Sequence, residues 1–157
     1  MKEKRDLKVQ AIEKGTVIDH IKAGQALNVL RILEISSAFR ATISFVMNAP
    51  GGKGKKDVVK IEGKELNVEE LNRIALIAPK ATINIIRDYE VVQKNNVALP
   101  TYVEGVVRCI NSNCISNSNE PIKSKFTVLQ SEEEEGVTLQ CMYCEHVISE
   151  NLAENLL

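Results

Sequence analysis

Apolar and polar residues alternate with two different periods along this chain, and the switches between them outline its elements. Leu7, Val9 and Ala11 alternate with Lys8 and Gln10, which predicts a half-buried strand, with Gly15 as a turn. Val17-Ile18-Asp19-His20 follows, with Asp19-His20 read as a turn after an apolar pair. From about 23 to 35 the period becomes helical, through Ala23, Ala26, Leu27, Leu30 and Leu33. Residues 40–47 and 56–61 are rich in β-branched types and read as strands around a Gly/Pro loop over 48–54. Asn67 is placed to cap a second helix, with Glu70 three residues on to complete a capping box. That helix carries Val68, Leu71, Ile74, Ala75 and Ala78 on one face and stops at Pro79. Strands over 81–86 and 89–92 come next, separated by Arg87-Asp88.

The order is strand, helix, strand, strand, helix, strand, with one strand more. It predicts an α+β fold of ferredoxin-like plan, an antiparallel sheet with two helices on one face. Asn95-Asn96 and Pro100 mark a junction, so two domains are expected, 1–99 and 100–157. The second reads as a small all-β, zinc-ribbon-like domain: a strand over 101–108, a hairpin of 125–130 with 137–140 around the glutamates 132–135, and an edge at 147–148.

The four cysteines all lie in this second part, as Cys109 and Cys114 and then Cys141 and Cys144. Two close pairs can each put two sulfurs on one tight turn and together hold a tetrahedral ion. Two disulfides or an iron–sulfur centre would also use such pairs. Structural zinc is favoured, because the start Met1 to Asp6 has no apolar stretch of the secretory kind and disulfides belong to oxidising compartments. Four protein ligands leave no open coordination position, so the metal is structural rather than hydrolytic. His146 beside the second pair could replace a ligand, yet the shell is already full.

Charge sharpens the division. The net charge of the 157-residue chain is −1. Residues 1–99 hold 17 Lys and Arg against 12 Asp and Glu, and residues 100–157 hold 3 against 9. A mildly basic module therefore precedes an acidic one. An acidic zinc module is a poor match for phosphate backbones, which disfavours an RNA- or transcription-associated ribbon, as does the scarcity of aromatic residues. No apolar run reaches membrane-spanning length, and a soluble cytoplasmic protein is expected. Gly51-Gly-Lys-Gly54 lacks the spacing of a phosphate-cradling loop and opens no helix. Neither His20 nor His146 has a recognisable nucleophile partner. Taken alone, Asp19-His20, Lys60 and Lys94 read more simply as structural or solvated residues.

Several segments taken together carry more weight: Gly15-Thr-Val-Ile-Asp-His-Ile21, Lys56-Asp-Val-Val-Lys-Ile-Glu62, Ala78-Pro-Lys-Ala-Thr-Ile-Asn84, Tyr89-Glu-Val-Val92 and Cys109-Ile-Asn-Ser-Asn-Cys-Ile115. In this order, from about Leu7 to Ile148, the chain resembles the regulatory chain of aspartate carbamoyltransferase. The resemblance implies a non-catalytic subunit of pyrimidine biosynthesis, paired as a homodimer of regulatory chains. It implies an amino-terminal allosteric domain for ATP, CTP or UTP and a domain with one structural zinc ion that docks on the catalytic chain. It implies nucleotide contacts at Ala11, Ile12, Val17, Asp19, His20, Lys60, Asn84, Ile86, Tyr89, Val91 and Lys94. It also implies catalytic-chain contacts at Asn111, Asn113 and Glu145, with neither nucleic acid nor membrane as partner. The chemistry is compatible: Asp19 can accept from ribose hydroxyls, and Lys60, Lys94 and His20 can face phosphates. A ligand sensor for a different enzyme remains the alternative.

Overall fold

The computed structural model describes residues 12–33, 35, 40–51, 54–119, 121–130, 137–149 and 152–157. The chain divides into two compact units, Met1–Val97 and Ala98–Leu157.

The first unit runs β1 (Gly15–Lys22), α1 (Ala26–Ile32), β2 (Ile43–Gly51), β3 (Gly54–Glu62), α2 (Val68–Ile77), β4 (Thr82–Arg87) and β5 (Glu90–Asn96). The strands form one antiparallel sheet in the order β2-β3-β1-β4-β5. This is the expected βαββαβ plan with one strand added at an edge. One face of the sheet presents Thr16, Ile18, Ile21, Val59, Ile61, Ile83 and Ile85, all buried. The helices supply Ala26, Val29, Ile32, Ile74, Ala75 and Ile77 to the same core. A strand's side chains alternate, so the residues between these belong to the other face.

Several boundaries differ from the sequence reading, each for a local reason. The strand expected over Leu7 to Ala11 lies outside the described residues. Gly15 opens a strand rather than making a turn. Its φ is +138°, and a Cβ there would collide with the carbonyl oxygen of Ile61. Asp19-His20 sits within β1, not in a turn, at an irregularity described below. Helix α1 is shorter than expected, since Gly24 at φ +92° turns the chain before it starts. Its buried stripe is Ala26, Val29 and Ile32, while Leu27 is 55% exposed. The expected loop over 48–54 is mostly strand, with Ala49, Pro50 and Gly51 paired to Lys56, Lys55 and Gly54. Pro50 is tolerated because β2 is an edge strand.

Helix α2 begins as its sequence predicts. The Glu70 N–H donates to Asn67 Oδ1 at 2.8 Å, and the Asn67 N–H donates to Glu70 Oε1 at 3.0 Å. Val68, placed on the apolar face by spacing, is 72% exposed in the first turn. The β4–β5 hairpin turns at Asp88 and Tyr89, with φ of 52° and 67°, the left-handed pair that a two-residue hairpin needs. Strand β5 then runs to Asn96, four residues beyond the sequence estimate.

The second unit is a four-stranded antiparallel sheet, β6 (Tyr102–Glu104), β7 (Lys125–Gln130), β8 (Val137–Cys141) and β9 (Val147–Ile148), in that order. Strand β6 stops at Glu104 because Gly105 turns at φ +71°, its N–H held by the Ser124 carbonyl at 2.8 Å. Beyond it Val107 bridges to Leu156, tying the last residues beside the first cysteine pair. Val103, Val107, Phe126, Val137, Leu139 and Ile148 make the small core. The turn with glutamates 132–135 lies outside the described residues. Among the described residues no helix is long and apolar enough to cross a membrane.

Candidate functional site

Among the described residues, two sets of side chains stand out. The first is the cysteine cluster. Cys109 and Cys114 flank a turn in which the Cys114 N–H donates to the Asn111 carbonyl at 3.0 Å. Asn111 Oδ1 accepts from the Asn113 N–H at 3.0 Å, and Asn117 Nδ2 donates to the carbonyls of Cys109 and Asn111. Asn117 was not legible as part of this turn, although its place three residues after Cys114 is a signal. Cys141 ends β8, and the second turn closes through Glu145 N–H to the Cys141 carbonyl and Cys141 N–H to the His146 carbonyl. Glu145 takes φ of 66° in doing so.

All four sulfurs lie within 4.8 Å of one another, with Cys109–Cys144 at 3.5 Å and Cys114–Cys141 at 3.7 Å. Tetrahedral zinc with Zn–S of about 2.3 Å would hold its thiolates about 3.8 Å apart, so the donors fit it. Burial pushes the Cys109 thiol up to about 12, and the sulfurs of Cys144 and Cys141 add to that. Burial likewise raises Cys141. The His146 backbone N–H draws Cys144 down to about 6. Such a set stays fully ionised only around a cation. His146 stands outside it, with Nδ1 3.8 Å from the Cys144 sulfur.

The second set lies on the sheet face turned away from the helices. Register places Lys60 opposite Val17, Val17 opposite Asn84, and Asn84 opposite Lys94. Residues directly opposite share a face, so these four form one row across β3, β1, β4 and β5. On one side of the row Asp19 faces Thr82, and on the other Ile86 faces Val91. Lys56 Nζ reaches Asp19 Oδ1 at 2.8 Å, and His20 Nδ1 lies 3.4 Å from Thr82 Oγ1. Burial raises Asp19, but the Lys56 ammonium and the His20 N–H outweigh it and hold the carboxyl below its ordinary value. Burial lowers Lys60. The Tyr89 N–H donates to the Glu13 carbonyl at 2.9 Å, bringing the exposed β4–β5 turn to the segment that carries buried Ile12. Ala11 lies outside the described residues. Of the three residues expected to face a catalytic chain, Asn113 and Glu145 are exposed, and Asn111 is half-buried building the first turn.

A sheet with a polar, lysine-bearing face, together with a small all-β module that gathers four cysteines into one closed site, defines a two-unit α+β protein with a structural metal site. Residues 7–98 match the family described as the aspartate carbamoyltransferase regulatory chain, allosteric domain, and residues 101–154 match the metal binding domain of the same chain. The chain is 87% identical to the aspartate carbamoyltransferase regulatory chain of Methanosarcina barkeri over 157 residues, the whole of both. It is 60% identical over 153 residues to that of Methanococcoides burtonii, covering 98% of this chain and 95% of the relative. It is 51% identical over 152 residues to that of Natronomonas pharaonis, covering 96% and 95%. The chain belongs to the aspartate carbamoyltransferase regulatory chain family. Its role is regulatory, not catalytic, and its cysteine cluster is the site of one structural zinc ion.

Proposed function

We propose that the first unit binds nucleoside triphosphates (ATP, CTP or UTP) on the polar sheet face, and that the zinc unit docks on the catalytic chain of aspartate carbamoyltransferase. Regulatory chains paired as homodimers would then carry allosteric control of pyrimidine biosynthesis to the catalytic chains, in the cytoplasm. The row Lys60–Val17–Asn84–Lys94 is the observation that carries this reading. Its two lysines stand three strand spacings apart, about 14 Å, so their flexible stems can close on an anionic ligand from both ends. Asp19 borders the row with a carboxylate ready for ribose hydroxyls. Val17, Ile86 and Val91 supply apolar contact for a base. In the zinc unit, exposed Asn113 and Glu145 sit on the two metal turns, so the ion that orders those turns also orders the docking surface.

Titration calorimetry of the full chain with each triphosphate tests the pocket. Lys60→Ala and Lys94→Ala should each weaken binding by about 1.5–3 kcal/mol, the value of a charge-assisted hydrogen bond. Unchanged affinity in both variants would move the nucleotide elsewhere. Sedimentation with the catalytic chain tests docking. Regulation further requires that nucleotide and catalytic substrate shift each other's affinity by the same factor.

A further inference from the structure

We propose that Asp57 is a positioning residue for the nucleotide face: from the core side of the sheet it fixes the bulge of β1 that carries Asp19 and His20. The proposal rests on the nucleotide reading above and names a residue that acts through others.

Asp57 lies in β3 between Lys56 and Val58, in phase with buried Val59 and Ile61, and is itself fully buried. Both carboxylate oxygens are occupied by backbone. Oδ2 accepts from the N–H groups of Gly24 at 2.9 Å and Ala26 at 2.8 Å, and Oδ1 from that of Asn48 at 2.8 Å. Gln25, at the start of α1, offers no side-chain cap, so a carboxylate from another strand performs that service.

Both strands that flank β3 are irregular beside this residue. In β1 the pairing passes from Ile18↔Val59 to Ile21↔Asp57, and in β2 from Val46↔Val58 to Ala49↔Lys56. Each strand thus inserts one extra residue, and each has a residue in the left-handed region there, His20 and Asn48, both at φ 60°. Unbroken register from Ile18↔Val59 would set His20 opposite Asp57, in phase with the core, and turn Ile21 to the polar face. The bulge reverses both: Ile21 is buried and His20 is exposed beside Asp19. Left-handed backbone at a non-glycine residue persists only where its surroundings hold it. Asp57 holds the Asn48 N–H at one bulge, and at the other it holds the turn that follows β1 directly.

The test uses the full chain and ATP as the probe, with CTP and UTP in parallel. Asp57→Asn keeps the size of the side chain but sets an NH2 group against a backbone N–H. Binding should weaken about tenfold, the scale of one charge-assisted hydrogen bond lost. The effect should vanish in an Asp19→Ala/His20→Ala background and persist in full in a Lys94→Ala background, because coupling is expected only for groups that act together. An equal effect in both backgrounds, or none in the wild-type background, overturns the proposal. In the wild-type chain, saturating ATP should slow hydrogen exchange at the Gly24, Ala26 and Asn48 amides more than in α2, and an equal change overturns it even if Asp57→Asn does not fold. Absence of any nucleotide binding by the wild type would remove the nucleotide reading and this proposal together, whereas wild-type binding with an indifferent Asp57→Asn removes this proposal alone.

Discussion

Removal of the metal should unfold one unit and leave the other standing. Cys114→Ala takes away a sulfur that is buried and lies 3.7 Å from that of Cys141. The two metal turns belong to segments 26 residues apart in sequence. Among the described residues, the backbone hydrogen bonds from Met142 N–H to the Lys125 carbonyl and from Cys141 N–H to the His146 carbonyl, near the second pair, do not reach Cys109 or Cys114, whose sulfurs meet those of Cys144 and Cys141. Among the described residues, the apolar core of this unit is Val103, Val107, Phe126, Val137, Leu139 and Ile148, apart from the cysteines. A structural zinc ion contributes roughly 10–16 kcal/mol to a small metal-folded module, whereas whole domains are stable by only about 5–15 kcal/mol. Metal loss therefore exceeds what a core of that size can offset. Unit Met1–Val97 has its own core around Ile18, Ile21, Val29, Ile61, Ile74 and Ile83, and among its described residues no metal cluster.

The assay is a proton–nitrogen correlation spectrum of the labelled chain, with metal analysis of the same sample. In the metal-free variant, amides from about Val103 onward should collapse to unfolded shifts while those of β1, β3 and β4 stay dispersed. A chelator applied to the wild type should reproduce the pattern, and added zinc should reverse it. Dispersed Phe126 and Leu139 amides in a chain shown to be metal-free would refute the reasoning, because the core alone would then suffice.

Gly15→Ala should destabilise the first unit by about 3 kcal/mol or more in urea denaturation, since φ +138° is strained for any side chain and the new Cβ meets backbone that cannot yield; a loss below about 1 kcal/mol would show that the strand opening adapts. Asn67→Ala should cost about 1 kcal/mol through the lost capping box, read as faster exchange in the first turn of α2. Asp19 has a folded-state pKa below its ordinary 3.8, so its pairing stabilises the fold above that value and is lost as pH falls through the folded pKa. In nucleotide-free chain, Asp19→Asn should thus cost about 0.5–1 kcal/mol at pH 6, with the cost shrinking as pH falls through the folded pKa, and a penalty unchanged in acid would place its origin elsewhere.

How much of this was legible in the sequence follows from what kind of signal each feature leaves. The zinc site was open to reading because a metal needs particular atoms at short spacing, and cysteines seldom serve other ends in two close pairs. The α2 start was open for the same reason, since Asn67 and Glu70 act on backbone three residues away. The start of helix α1 leaves no local signal: its cap comes from Asp57, 31 residues on from Ala26, and no local pattern reports a cap supplied by a strand.

The bulge of β1 explains why Asp19 and His20 read as a turn in the sequence. Period-2 alternation identifies a strand only while the register is unbroken, and an inserted residue shifts the phase by one. Val17, Ile18 and Ile21 fit no single alternation, so the stretch reads as irregular, although it is one continuous strand. Yet a trace was present in the partner strand. Val59 and Ile61 set the core phase of β3, and Asp57 falls on it, so a charged residue stands at a position that alternation assigns to the interior. A buried carboxylate must be answered by donors, and β3 has its own ladder on both sides. The donors therefore had to be amides freed from regular pairing, as those of Gly24, Ala26 and Asn48 are. An acidic residue in the buried phase of a central strand thus forecasts irregular backbone beside it. Here that irregular backbone is the turn after β1, the start of α1 and the bulge of β2, and the first of these follows directly on the stretch that carries Asp19 and His20.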